Sequence, residues 1–137
     1  MLNRLQIMNN IEIVIDNKLD CNVVFFKNTN FSLESGDKLK DFKIAFKSFG
    51  NLNKHKTNAI LICHALTGDQ YVTGLNPITG KNGWWSRMVG PDKPIDTNKF
   101  FVICSNVIGG CAGSTGPKEF NEERGSIYGG DFPFYNN

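Results

Sequence analysis

The sequence predicts an α/β fold in which an antiparallel hairpin leads into a parallel βαβ sheet. Three observations carry this. Two runs, Ala59 to Cys63 and Phe100 to Cys104, are wholly apolar, as strands covered on both faces are. Between residues 31 and 46, apolar Phe31, Leu33, Phe42, Ile44 and Phe46 alternate with mostly polar neighbours around a Ser35-Gly36-Asp37 turn, the pattern of a hairpin with one wet face. Each apolar run then ends in a turn of small residues, and open α/β sheets bind their ligands at that carboxyl edge.

The elements follow in order. Residues 1–22 read as a loose, Asn-rich lead-in, with Ile11-Glu-Ile-Val-Ile15 a candidate short strand. Residues 23–137 hold the hairpin, the first apolar strand and its turn, a helix, the second strand and a long loop, so 1–137 reads as one partial domain. Trp84, Trp85, Met88 and Val89 fall at helical spacing, which predicts a helix over 83–89, stopped by Gly90-Pro91. Strands 59–63 and 100–104 are then expected to be parallel neighbours, or nearly so, with the hairpin extending their sheet antiparallel. Two covered strands do not complete such a sheet, so the chain reads as the start of a larger domain.

Composition narrows the function. Apolar residues make up 40%, enough for a core. The net charge is +2, with Lys and Arg scattered, so no basic stripe points to nucleic acid. No apolar run is long enough to span a membrane. Cys21, Cys63, Cys104 and Cys111 fit no zinc spacing and form no Cys-x-x-Cys pair. Cys63 and Cys104 lie inside apolar runs and read as buried free thiols in a reducing cytoplasm.

Several motifs invite chemistry and fall short of it. Gly74 to Lys81 has five residues between its glycines and Asn82 after the lysine, where a phosphate-binding loop needs four and a Ser or Thr. Ala112-Gly-Ser114-Thr-Gly116 lacks the first glycine of a nucleophile elbow and the strand that should directly precede it. Ser114 is therefore expected to line a cleft and not to attack. His64 has no acid or nucleophile nearby in sequence, so it reads as a structural histidine bonded to loop backbone. His55 reads as solvated, and Trp84 and Trp85 read as core packing. Asp69, Asp92, Asp96 and Asp131 are loop carboxylates without a histidine partner.

The turn after the first apolar strand is the strongest site signal. A tight turn at a strand's carboxyl end can aim backbone N–H groups at a developing oxyanion with no reactive side chain, and Leu66 is the first candidate donor. His64-Ala-Leu-Thr-Gly-Asp69 resembles the oxyanion turn of the homoserine O-acetyltransferase family. Gly83-Trp-Trp-Ser-Arg-Met-Val-Gly-Pro91, then Asp96-Thr97 and Phe100-Phe-Val-Ile-Cys104, are similar to that family's next helix and strand. Asn106-Val-Ile-Gly-Gly-Cys-Ala-Gly-Ser-Thr-Gly-Pro117 and Tyr128-Gly-Gly-Asp-Phe-Pro133 are similar to its later loops, so the resemblance covers about residues 30–133.

The resemblance implies the amino-terminal part of an α/β-hydrolase fold, ending before the nucleophile elbow. It implies transfer of an acetyl group from acetyl-CoA, a co-substrate, to the hydroxyl of homoserine by a ping-pong acyl-serine mechanism, toward methionine. The Leu66 N–H is the implied oxyanion donor. Ala65, Thr67, Gly68, Asn106, Gly109 and Gly110 are implied substrate-binding positions, and the serine, aspartate and histidine triad lies outside this chain. The resemblance further implies a cytoplasmic enzyme with small-molecule partners, no bound cofactor or metal, no nucleic-acid or membrane partner, and a homodimer in the full-length protein. The chain alone is then expected to be inactive. Alternatives are a succinyl-CoA-dependent homoserine or serine acyltransferase, an ester hydrolase of the same fold, and a non-catalytic truncated domain.

Overall fold

The computed structural model describes residues 3–8 and 10–133, with side chains described from residue 10 onward. Six strands form the main sheet: β1 (Asn3–Met8), β2 (Ile11–Asp16), β3 (Cys21–Phe26), β6 (Lys43–Phe49), β7 (Ala59–Ile62) and β10 (Phe101–Ser105). Their order is β1-β2-β3-β6-β10-β7. Every neighbouring pair is antiparallel except the last. There β10 runs parallel to β7, with Phe101 opposite Ala59 and Cys104 opposite Ile62. The two apolar runs are thus adjacent parallel strands, as their composition predicts.

The start of the chain departs from the loose lead-in. β1, β2 and β3 form a three-stranded meander. Its turns use residues that tolerate left-handed backbone, Asn10 at φ 67° and Asp20 at φ 45°. The Asp16 carboxylate accepts the N–H groups of Lys18 and Leu19 at 2.9 and 3.0 Å, closing the second turn from its own side chain. Val14, Cys21, Val23 and Ala45 then bury one face.

The predicted hairpin divides. β4 (Asn30–Ser32) and β5 (Lys38–Lys40) pair as a separate two-stranded sheet, with Phe31 opposite Leu39. The Leu33 N–H donates to the Asp37 carbonyl at 2.9 Å across the turn. Asp41 at φ 50° breaks the path before residue 43. β6 therefore enters the main sheet between β3 and β10 and is not the hairpin partner of Phe31. Leu39, Phe42 and Phe132 seal the small sheet against the rest.

No helix forms over 83–89. The Trp84 and Trp85 N–H groups donate to the Tyr71 and Val72 carbonyls, at 3.3 and 2.8 Å. Only one helical turn follows, with the Met88 and Val89 N–H groups both on the Trp85 carbonyl. β8 (Val89–Gly90) then pairs in parallel with β9 (Ile95–Asp96). The segment stops at that single turn because the Met88 and Gly90 carbonyls accept the Ile95 and Thr97 N–H groups, at 2.9 and 3.1 Å.

The expected burial of the first apolar strand on both faces also fails. β7 is the last strand of the sheet, and Leu61 is 66% exposed. Cys63 lies past the end of β7 and is exposed, whereas Cys21 and Cys104 are buried; all four cysteines are free. β10 is the covered strand. Val102 and Cys104 are fully buried and pack with Ile62, Val72 and Val89. β11 (Phe120–Asn121), β12 (Ser126–Ile127) and a single 3-10 turn, Gly129–Asp131, complete the described residues. Among these, no helix is long and apolar enough to cross a membrane.

Candidate active-site turn

β7 ends at Ile62, and the chain turns back over residues 65–68. The Gly68 N–H donates to the Ala65 carbonyl at 2.7 Å. The ring of His64 reaches the same carbonyl through Nδ1, at 2.7 Å. Its other nitrogen, Nε2, accepts the Val107 N–H at 3.3 Å. His64 is thus bonded to loop backbone on both sides, as expected of a structural histidine. A side chain at position 68 would crowd Ala65 and His64, because a Cβ there would stand 3.1 Å from both.

The central N–H groups of the turn, those of Leu66 and Thr67, bond no other described residue. The Leu66 side chain is 87% exposed. The turn is therefore open, with two backbone donors free at the carboxyl edge of a parallel strand pair. Such donors can hold an anion or a developing oxyanion without a charged side chain.

The second carboxyl-edge loop follows β10 and bonds mainly to itself and to β6. The Asn106 N–H donates to the Ala45 carbonyl at 2.8 Å. Asn106 Oδ1 accepts the Ala112 N–H at 3.2 Å. The Gly109 N–H donates to the Thr115 carbonyl at 2.7 Å, and the Gly110 N–H to the Val107 carbonyl at 3.0 Å. A Cβ on Gly110 would lie 2.6 Å from Asn106 Oδ1, so the loop closes this tightly only around glycine. Asn106 is 2% exposed. The structure thus brings Asn106, Gly109 and Gly110 into one loop, joined to the turn through Val107 and His64. Ala65, Thr67 and Gly68 lie in the turn itself.

Ser114 is buried within that loop and does not line an open cleft. Its hydroxyl donates to the Asn106 carbonyl at 2.6 Å and accepts the Ala45 N–H at 2.9 Å. Thr115 Oγ1 likewise accepts the Lys43 N–H at 2.8 Å. These hydroxyls strap the loop to β6.

Three residues frame the turn, of which sequence reading named only Asp69, as a loop carboxylate, and missed Gln70 and Tyr71. Asp69 accepts the Tyr71 N–H at 2.9 Å and the Asn76 side-chain N–H at 2.8 Å. Its carbonyl takes the Trp84 indole N–H at 3.0 Å. Gln70 is fully buried and donates to the Ala112 carbonyl at 2.8 Å, tying the segment after the turn to the second loop. The Tyr71 hydroxyl donates to the Leu19 carbonyl. No periodicity marks Gln70 and Tyr71, and only the burial of a glutamine and a tyrosine reveals them.

The tryptophans correct another expectation. Trp84 and Trp85 are 44% and 38% exposed, stacked on each other with centroids 5.6 Å apart. They flank the turn and are not core.

The thiols offer no nucleophile in the core. Burial pushes Cys104 up to about 11, with Cys63 and Asp69 adding to the rise. Burial raises Cys21 as well, and burial followed by Cys21 raises the Tyr71 hydroxyl. The described residues contain no group of three or more His, Cys, Asp or Glu arranged to hold a metal. A cleft of about 490 Å³ lies elsewhere, lined by Lys38, Lys40, Glu119 and Arg124 among others and by no residue of the turn. Its charges are mixed, and two of its cations are already paired, Lys43 with Glu119 and Arg124 with Asp131.

The mixed sheet, its parallel pair and the turn at their carboxyl edge match solved structures of the α/β-hydrolase fold, which is the class of this chain. Among solved structures, a homoserine O-acetyltransferase from Bacillus anthracis matches with a TM-score of 0.72 at 30% identity, covering 85% of this chain and 33% of that one. Esterase E22 matches equally, with a TM-score of 0.72 at 30% identity. By sequence the chain is homologous to part of the homoserine O-acetyltransferases. It is 59% identical over 101 residues to the one from Nitrobacter hamburgensis, covering 74% of this chain and 25% of the relative. It is 54% identical over 109 residues to the one from Caulobacter vibrioides, covering 80% of this chain and 28% of the relative. The chain therefore spans about a quarter of the length of the curated relatives it matches. No protein-family model matches it.

Proposed function

We propose that this chain supplies the oxyanion turn of an acyltransferase that moves an acetyl group from acetyl-CoA to the hydroxyl of homoserine. The observation that carries this reading is the open turn after β7, with the Leu66 and Thr67 N–H groups unengaged. Identity of 54–59% with proteins named homoserine O-acetyltransferase supports the substrate choice. In a ping-pong reaction a serine attacks the thioester carbonyl, CoA leaves, and the acyl-serine passes its acetyl group to homoserine. Each step passes through a tetrahedral oxyanion, and the Leu66 N–H is one of its donors. The second donor and the triad are contributed by residues outside these 137. Ala65, Thr67, Gly68 and the loop carrying Asn106, Gly109 and Gly110 border the substrates. The product leads toward methionine. The enzyme works in the cytoplasm as a homodimer and binds no cofactor beyond its co-substrate.

An ester hydrolase is the second reading, favoured by the equal structural match to esterase E22. The test supplies the intact protein with acetyl-CoA, with and without homoserine, and follows CoA release. Release that depends on homoserine supports the transferase. Release that ignores homoserine supports the hydrolase, and no release with either counts against both. Succinyl-CoA in place of acetyl-CoA, and serine in place of homoserine, check donor and acceptor.

A further inference from the structure

His64 is absorbed neither by the acyl-transfer chemistry nor by any substrate contact, yet it is bonded on both ring nitrogens. The partners dictate its tautomer. Val107 offers a backbone N–H, which can only donate, so Nε2 carries no proton. The Ala65 carbonyl can only accept, so Nδ1 carries the proton and donates at 2.7 Å. A ring whose free lone pair is already taken by an N–H is poorly placed to act as a base.

The Ala65 carbonyl is the important partner. It receives two donors, His64 Nδ1 and the Gly68 N–H, both at 2.7 Å. The Ala65 carbonyl and the Leu66 N–H belong to one planar peptide unit, and the described chain has no cis bonds. In a trans peptide these two groups point in opposite directions. Two donors on the oxygen therefore fix the direction of the N–H on the other side. We propose that His64 is the positioning residue of the oxyanion turn: its Nδ1–H holds the Ala65 carbonyl and thereby aims the Leu66 N–H. Through Nε2 and Val107 it also couples the turn to the loop after β10. The proposal rests on the reading of the turn given above.

The test compares wild type with His64→Ala, His64→Asn and His64→Gln in the intact protein. An asparagine side-chain N–H can occupy the place of Nδ1–H and keep the bond to Ala65. A glutamine oxygen can occupy the place of Nε2 and keep only the bond to Val107. With acetyl-CoA and homoserine, His64→Ala should lower kcat about 10- to 100-fold, as a misplaced donor does, with KM nearly unchanged. His64→Asn should recover most of the loss and His64→Gln little of it. An unchanged kcat in His64→Ala, a rise confined to KM, or His64→Gln recovering as much as His64→Asn would each overturn the proposal. The ¹⁵N imidazole spectrum gives a readout independent of substrate. The ring whose signals vanish in His64→Ala should be the neutral Nδ1–H tautomer, and an Nε2–H tautomer would overturn the assignment. If wild type releases no CoA, the transferase reading fails, and the tautomer still decides the role of His64.

Discussion

Ser114 Oγ stands 2.6 Å from the Asn106 carbonyl oxygen and 2.9 Å from the Ala45 nitrogen. One buried hydroxyl thus serves as donor to the loop and acceptor for β6. In sequence the same serine sits in a near copy of a nucleophile elbow, but with both of its hydrogen-bonding roles spent it is a strut.

Ser114→Ala should therefore destabilise the intact protein by about 1–3 kcal/mol, because it leaves the buried Ala45 N–H without its acceptor. Urea unfolding measures this. The acyl adduct formed on mixing with acetyl-CoA should still appear by mass spectrometry. Loss of the adduct with the fold intact would move the nucleophile to Ser114.

Leu66 separates backbone from side chain. Leu66→Pro deletes the N–H proposed as oxyanion donor and should cut turnover by about 10²–10³. Leu66→Ala keeps the N–H and should do far less, since the side chain is 87% exposed. Circular dichroism checks that both variants fold. Equal losses would show that the side chain matters and the amide does not.

The apolar runs and the turn after the first of them were legible because each is a local signal. Contiguous apolar residues at 59–63 and 100–104 specify strands whatever surrounds them. What escaped reading depends on distant partners. Trp84 and Trp85 have helical spacing, but their N–H groups bond Tyr71 and Val72, which no window around residue 85 reports. Leu61 reads as buried from its neighbours, yet exposure is decided by strand order, and β7 lies at the edge. The candidate strand at Ile11–Ile15 is β2, but its pairing with β1 and β3 into a meander escaped reading, since residues 1–22 read as a loose lead-in. Of the candidate site, the turn could be read directly. The His64–Val107 and Gln70–Ala112 links could not, since each joins residues about 40 positions apart.

Asp96 makes stability depend on acid. Its carboxylate accepts the Asn98 N–H at 2.9 Å and the Asp92 N–H at 3.1 Å, and pairs with Lys99 at 3.2 Å. The Asn98 N–H foremost, then the Asp92 N–H and Lys99, hold its carboxyl below the ordinary 3.8. A carboxyl depressed in the folded state stabilises fully above its unfolded value and loses that contribution as pH falls through the folded one. Stability should therefore drop as pH falls below about 4. Asp96→Asn should be less stable at neutral pH and show a shallower acid decline. The measurement is the urea midpoint from neutral pH down into the acid range. An unchanged acid slope in Asp96→Asn would remove Asp96 from the account.

The edge of the sheet makes a prediction for residues 1–137 expressed alone. β7 pairs with β10 on one side only, which leaves the other row of backbone N–H and carbonyl groups open. Leu61 is 66% exposed beside that row, and Trp84 and Trp85 are 44% and 38% exposed. Open edges with apolar side chains pair with other chains. The isolated chain should therefore self-associate at micromolar concentrations, as sedimentation velocity would show. Leu61→Lys places a charge on the edge and should shift the population toward monomer without changing the circular dichroism spectrum. The same preparation should release no CoA from acetyl-CoA and homoserine, because the turn supplies a donor for the oxyanion but no nucleophile. A wild-type chain that sediments as a monomer would show that the edge is protected. Homoserine-dependent CoA release by that chain would place the nucleophile within these 137 residues.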